Sequence, residues 1–197
     1  MNLKLFNKLM EIPPLQTRDE WWIFLEICDF YLKERKIKNP IVMELGSWKG
    51  RQKPFYEQLF GATYISIDRS KKGYGPEIQG LTSDPRTLER LKERLAGRQI
   101  NILFIDADHH YEAVKSDFDM YAPLCDDIVA FHDVNYPSIM RLWNELKAKP
   151  SVSPTKEKEY LSPMWLNLSI EERGWVDKDN IFILIEMASG IGMMIKK

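Results

Sequence analysis

The chain has 197 residues, 44% hydrophobic and 29% charged, with 28 Lys and Arg against 29 Asp and Glu, a formal net charge of −1. That composition suits one soluble domain and carries no basic excess that would favour nucleic acid or anionic lipid as the main partner. No apolar run approaches the ~20 residues that span a bilayer, and the opening "MNLKLFNKLMEIPP" lacks the apolar core and cleavage site of a secretory signal.

Cys28 and Cys125 sit in apolar segments and form no CxxC pair, so two free buried thiols in a reducing cytoplasm are expected. Taken in chain order, residues 18–36 space Trp21, Trp22, Leu25, Cys28 and Leu32 at helical intervals, with Thr17 or Asp19 as cap. "IVMEL" (41–45) reads as a buried strand stopped by Gly46. A helix follows over 51–60, with Pro54 tolerated in its first turn. "TYISID" (63–68) is a second strand and "EIQGL" (77–81) a short third. Residues 84–97 carry a well-marked helix, with Asp84 at the cap, Pro85 in the first turn and Gly97 past the end. Strand 100–106, helix 111–124, strand 127–133 and helix 138–148 complete the alternation. The stretch 149–179 breaks the rhythm with Pro150, Pro154, Pro163, Trp165 and Trp175, and reads as an insertion or lid. The last 18 residues, 180–197, form two strands around a turn at 188–190.

Alternating strands and helices imply right-handed crossovers and a mostly parallel sheet covered on both faces. The expected organisation is one domain: an N-terminal helical cap (1–39), a binding core (40–148), the insertion (149–179) and an antiparallel C-terminal hairpin (180–197). In open α/β sheets ligands bind beyond the carboxyl ends of the strands. Those ends deliver Glu44, Gly46, Ser47 and Gly50; then Asp68; then Ser83 and Asp84; then Asp106, Asp108 and His109; then His132 and Asp133. The turn "ELGSWKG" is not GxGxxG, and Glu44 would repel phosphate, so a dinucleotide is disfavoured. Asp68 lies about 20 residues beyond that turn, the spacing at which an acid accepts ribose hydroxyls. Together these suggest a nucleoside without a required phosphate.

"IVMELGSWKGR", "YISIDRS", "LTSDPRTLERL", "FIDADHHYEAVKSDFDMY", "FHDV" and "GIGMMIKK" resemble, in order, the class I S-adenosylmethionine-dependent methyltransferases, closest to the small-molecule O-methyltransferase-like branch. The likeness covers roughly residues 40–197; the glycine turn alone is a weak signal, whereas the segment after the fourth strand and the "HD" after the fifth are fairly specific. The resemblance implies a Rossmann-like three-layer sandwich, with a seven-stranded sheet whose last strand is antiparallel. It implies S-adenosylmethionine as cofactor, with Glu44 and Gly46 at the methionine end, Asp68 at the ribose, Ser83 and Asp84 near the adenine, and Ser47 and Asp106 also in the cofactor site. It departs from the usual glycine-rich turn at Ser47, Trp48 and Lys49. Metal-dependent members place acids after the fourth and fifth strands, which here are Asp106, His132 and Asp133. Two carboxylates suit Mg²⁺, and His132 in place of an acid shifts preference toward Mn²⁺, Fe²⁺ or Zn²⁺. Asp108 or His109 would take the proton from an acceptor hydroxyl, and His109 is also a candidate ligand.

The competing readings remain open at this level. Asp108 can cap the helix that starts at "DHHYEAV", His132 can be a satisfied core histidine, and Trp165 and Trp175 can cover the acceptor site, anchor the insertion or form a homodimer contact. The expected function is O-methylation of a small hydroxylated acceptor such as a sugar. The alternatives are a non-catalytic binding scaffold, or a metal-dependent enzyme of another class on the same fold.

Overall fold

A computed structural model describes residues 1–148, 153–154 and 174–197. Trp165 and most of the expected insertion lie outside the described residues. Among the described residues nine strands form one sheet: β1 (Ile41–Leu45), β2 (Thr63–Asp68), β3 (Ile78–Gln79), β4 (Ile100–Ile105), β5 (Cys125–His132), β6 (Ser153–Pro154), β7 (Gly174–Val176), β8 (Asn180–Ile185) and β9 (Ile191–Lys196). Their order is β3-β2-β1-β4-β5-β9-β8-β7-β6. β3 to β5 run parallel, and β9 enters antiparallel between β5 and β8. The expected seven strands become nine because β7 extends the C-terminal hairpin by pairing with β8, and β6 pairs with β7. The end of the expected insertion is therefore sheet.

The helices are α1 (Leu3–Leu9), α2 (Arg18–Glu34), α3 (Lys53–Phe60), α4 (Pro85–Leu95), α5 (Tyr111–Tyr121) and α6 (Pro137–Lys147). Strand side chains alternate between faces. Met43, Leu45, Ile65, Leu103, Val129 and Phe131 meet α4, α5 and α6, packed around Trp143 and Tyr121. Val42, Tyr64, Phe104, Ile128 and Ala130 meet α1, α2 and α3, packed around Trp21 and Phe24. Burying both faces explains why the central strands read as unbroken apolar runs. Asp84 caps α4 by accepting the Arg86 N–H at 3.0 Å, as expected. Cys28 and Cys125 are buried free thiols. Trp175 anchors its strand, with the Lys147 ammonium 3.8 Å above the ring. Among the described residues no helix is long and apolar enough to cross a membrane.

Candidate active site

The parallel strands end together, and their ends are joined closely. Gly46 donates its N–H to the Ile67 carbonyl at 2.8 Å, and Asp106 donates to Leu45 at 2.9 Å. A side chain at Gly46 would place its Cβ 2.1 Å from the Asp106 carbonyl oxygen at a φ of +83°. The glycine is thus required first by contact between two strand-end turns. Over this junction lies an open cleft of about 150 Å³. Ser47, Trp48, Lys49 and Gln52 line one side, and Asp106, His109, His132 and Asp133 the other.

The acidic side is compact. Asp106, His109 and Asp133 each present a donor atom, all within 4.8 Å of one another. His109 Nε2 lies 2.9 Å from Asp133 Oδ2 without hydrogen-bond alignment. His132 Nδ1 lies 3.2 Å from both Asp106 Oδ1 and Asp133 Oδ2. Burial opposes a charged His132 ring, but the carboxylates of Asp106, Asp133 and Glu20 outweigh it and push its pKa up to about 12. For Asp133, burial works against the carboxylate and His132 more than compensates, holding its pKa below the usual range. His109 is raised, first by the nearby Asp106 carboxylate, 3.9 Å from Nε2, and then by Asp133, against partial burial. Asp133 itself sits at φ +56°, a left-handed conformation uncommon outside glycine. Tyr136 stacks on the His109 ring at a centroid distance of 5.1 Å, and the Ser138 hydroxyl donates to the His109 carbonyl.

Two carboxylates with converging imidazole nitrogens form a donor set that fits a divalent cation. His109 Nε2 and His132 Nε2 are buried without a hydrogen-bond partner. The fit to a nucleoside is partial. Asp68 holds Trp48 N at 2.7 Å through Oδ2, and Ser70 N at 2.7 Å through Oδ1. The Ser70 hydroxyl also donates to Oδ1, at 2.9 Å, and a carboxylate offers about four lone-pair sites, so acceptor capacity remains for one further hydroxyl. The Ser47 hydroxyl is buried on the cleft wall with no partner, a donor available to a polar ligand.

Four residues singled out from the sequence stand elsewhere. Glu44 does not line the cleft: it is fully buried in the α1–α3 layer, where the Tyr64 hydroxyl donates to it and burial raises its pKa well above the carboxylate range. Asp108 is turned away, accepting the His110 N–H at 2.9 Å and meeting His110 Nδ1 at 2.6 Å, so it closes the turn into α5. Asp84 is engaged in its cap, and Ser83 is exposed beside it. Conversely, Gln16 and Glu20 reach the site from the N-terminal segment. Gln16 Nε2 donates to Asp106 Oδ2 at 3.3 Å, and Glu20 Oε2 lies 3.9 Å from His132 Nε2. Glu20 stands in helical register with buried Ile23, Phe24 and Ile27, and a carboxylate on an apolar stripe is a readable signal.

A parallel sheet in this strand order, closed by an antiparallel strand beside β5, with its cleft at the strand ends, is the fold of class I methyltransferases. Solved structures agree. The MycE methyltransferase from the mycinamycin biosynthetic pathway, in complex with Mg and SAH, superposes with a TM-score of 0.60 at 16% identity, over 97% of this chain and 54% of that one. The chain therefore spans about half the length of MycE. A Staphylococcus aureus protein assigned as a caffeoyl-CoA O-methyltransferase gives a TM-score of 0.52 at 13% identity, over 99% of this chain and 90% of that one. No protein-family profile and no curated protein sequence matches the chain.

Proposed function

We propose that the chain is an S-adenosylmethionine-dependent O-methyltransferase that uses a divalent cation and acts on a small hydroxylated acceptor. The observation that carries the reading is the gathering of the Asp106 and Asp133 carboxylates with the His109 and His132 imidazoles at the cleft, beside the Gly46 turn, in a methyltransferase fold. MycE has been seen with Mg, SAH and the small molecule mycinamycin VI, which supports the same class of reaction here.

Asp68 would accept one ribose hydroxyl, and Ser47 would meet the polar end of the methionine. Asp106, Asp133 and His132 would hold the cation. When bound, the cation lowers the pKa of an acceptor hydroxyl and orients it. S-adenosylmethionine, when bound, supplies a methyl on a positive sulfur. Transfer of that methyl to an acceptor oxygen would leave the chain's own residues the task of aligning the two partners and excluding water. His109 receives the hydroxyl proton. It faces the cleft mouth with its side chain 41% exposed, and Tyr136 limits its rotation. Asp108 is not needed in this scheme.

The rival, metal-dependent chemistry of another class, draws support from Asp68, whose two oxygens already hold Trp48 and Ser70. Calorimetry of S-adenosylmethionine with Mg²⁺, with Mn²⁺ and with chelator, alongside Asp68→Ala, separates the two. Micromolar binding that Asp68→Ala abolishes supports the methyltransferase. No heat at millimolar cofactor in any metal, with Mn²⁺ itself still bound, favours the rival.

A further inference from the structure

Glu20 is fully buried on α2, whose other buried residues are apolar apart from Glu26. Its Oε1 accepts the Gly190 N–H at 2.9 Å, which pins the carboxylate between α2 and the turn that joins β8 to β9. Its Oε2 has no hydrogen-bond partner and lies 3.9 Å from His132 Nε2, which has none either. The other ring nitrogen, Nδ1, lies 3.2 Å from a carboxylate oxygen of Asp106 and 3.2 Å from one of Asp133. His132 therefore stands between one carboxylate and two.

With carboxylates on both sides and no cation, the ring is protonated on both nitrogens; a ring that ligates a cation is neutral and carries one proton, and the partner of the other nitrogen sets which one. With the proton on Nδ1, the Nε2 lone pair faces a buried carboxylate oxygen, an unfavourable contact in a dry environment. With the proton on Nε2, Glu20 has its donor, and the Nδ1 lone pair points at two carboxylates. That second arrangement is relieved when a cation lies between them. We propose that Glu20 is a positioning residue that keeps the proton on His132 Nε2 and so presents Nδ1 as a ligand to a divalent cation shared with Asp106 and Asp133. This inference rests on the metal reading above and extends it to a residue about 85 positions upstream of Asp106. Outer carboxylates of this kind fix the tautomer and orientation of a ligating histidine, and losing one typically costs ~10–100-fold in metal affinity.

Glu20→Gln is the discriminating substitution. It keeps the shape, but an amide can offer oxygen to only one of Gly190 N and His132 Nε2 and turns its NH₂ on the other. The test is Mn²⁺ affinity by calorimetry and electron paramagnetic resonance in the full chain, joined to ¹⁵N imidazole spectra of the Mg²⁺-loaded protein. The chain has only three histidines, so assignment by single substitution is direct. The expected result is a 10-fold or greater loss of Mn²⁺ affinity in Glu20→Gln, and an Nε2–H signature for His132 in the parent that the variant loses. His132→Asn should remove most of the effect of Glu20→Gln, since the two act in series. Glu20→Asp, which keeps the charge, should retain more affinity than Glu20→Gln. Unchanged Mn²⁺ affinity and an unchanged nitrogen signature would reduce Glu20 to a clip for the hairpin turn and overturn the proposal. Equal losses from Glu20→Gln with and without His132 would overturn it as well. A parent chain that binds neither ion would instead bring down the metal reading itself.

Discussion

Gly46→Ala tests whether the strand-end junction is built as described. The new methyl would face the Asp106 carbonyl oxygen at 2.1 Å and the Ala107 Cα at 2.5 Å, and neither is a flexible side-chain end. Holding alanine at φ +83° costs ~1–2 kcal/mol, and displacing packed neighbours costs a further ~1–3 kcal/mol. The sum, about 2–5 kcal/mol, is a large share of a typical stability of ~5–15 kcal/mol. Gly97 supplies the control. It has φ +80°, yet a Cβ there meets nothing within 4 Å, so Gly97→Ala should lose only the conformational part, ~1–2 kcal/mol. Urea unfolding of both variants isolates the steric part by difference. Because Asp106 must shift to admit the methyl, Gly46→Ala should also weaken Mn²⁺ binding, while Gly97→Ala should not. Equal losses in the two variants would refute the argument that Gly46 is demanded by the approach of the β4–α5 turn.

Two other outcomes are expected. Asp117 is 1% exposed with Oδ2 unpartnered, and burial lifts its pKa from 3.8 to about 6, partly offset by a hydrogen bond from Thr82. The native state then holds more protons than the unfolded chain between pH 4 and 6, so this residue's contribution to stability falls as pH rises through that window, by up to ~3 kcal/mol. Asp117→Asn should therefore match the parent near pH 4 and melt higher at pH 8, by roughly 2–4 °C for each kcal/mol recovered; a pH-independent difference would contradict this. Trp143 is 1% exposed and fills the space over Gly192, so Trp143→Ala should cost ~3–5 kcal/mol in denaturant unfolding.

The elements were legible where local chemistry was strong. β1 and β2 are short β-branched runs ended by Gly46 and by Asp68, and α4 carries its own cap and proline, so composition located all three. α1 escaped because seven residues with one buried side chain, Phe6, make no pattern. β6 and β7 escaped because two- and three-residue strands exist only through pairing with a neighbour. In the site, the strand-end rule gathered Asp106, His109, His132 and Asp133. It erred on Glu44 because the last strand residues alternate between faces, and Glu44 belongs to the face that α2 and α3 cover. It missed Gln16 and Glu20 because their partners lie 90 residues away at Asp106 and 170 at Gly190, distances that no local pattern encodes.

The place of β9 has a bearing on how such a chain is made. Synthesis delivers β1 to β5 first, yet the partner of β5 on its outer side is the last strand of the sheet. Until residues 191–196 leave the ribosome, β5 presents an unpaired apolar edge, and neither the hairpin turn nor its hydrogen bond to Glu20 exists. A nascent chain stalled before that point would display a sticky strand and an unfinished cleft, the kind of species that chaperones bind. Completion of the sheet and completion of the site are one event, set by the arrival of a single strand.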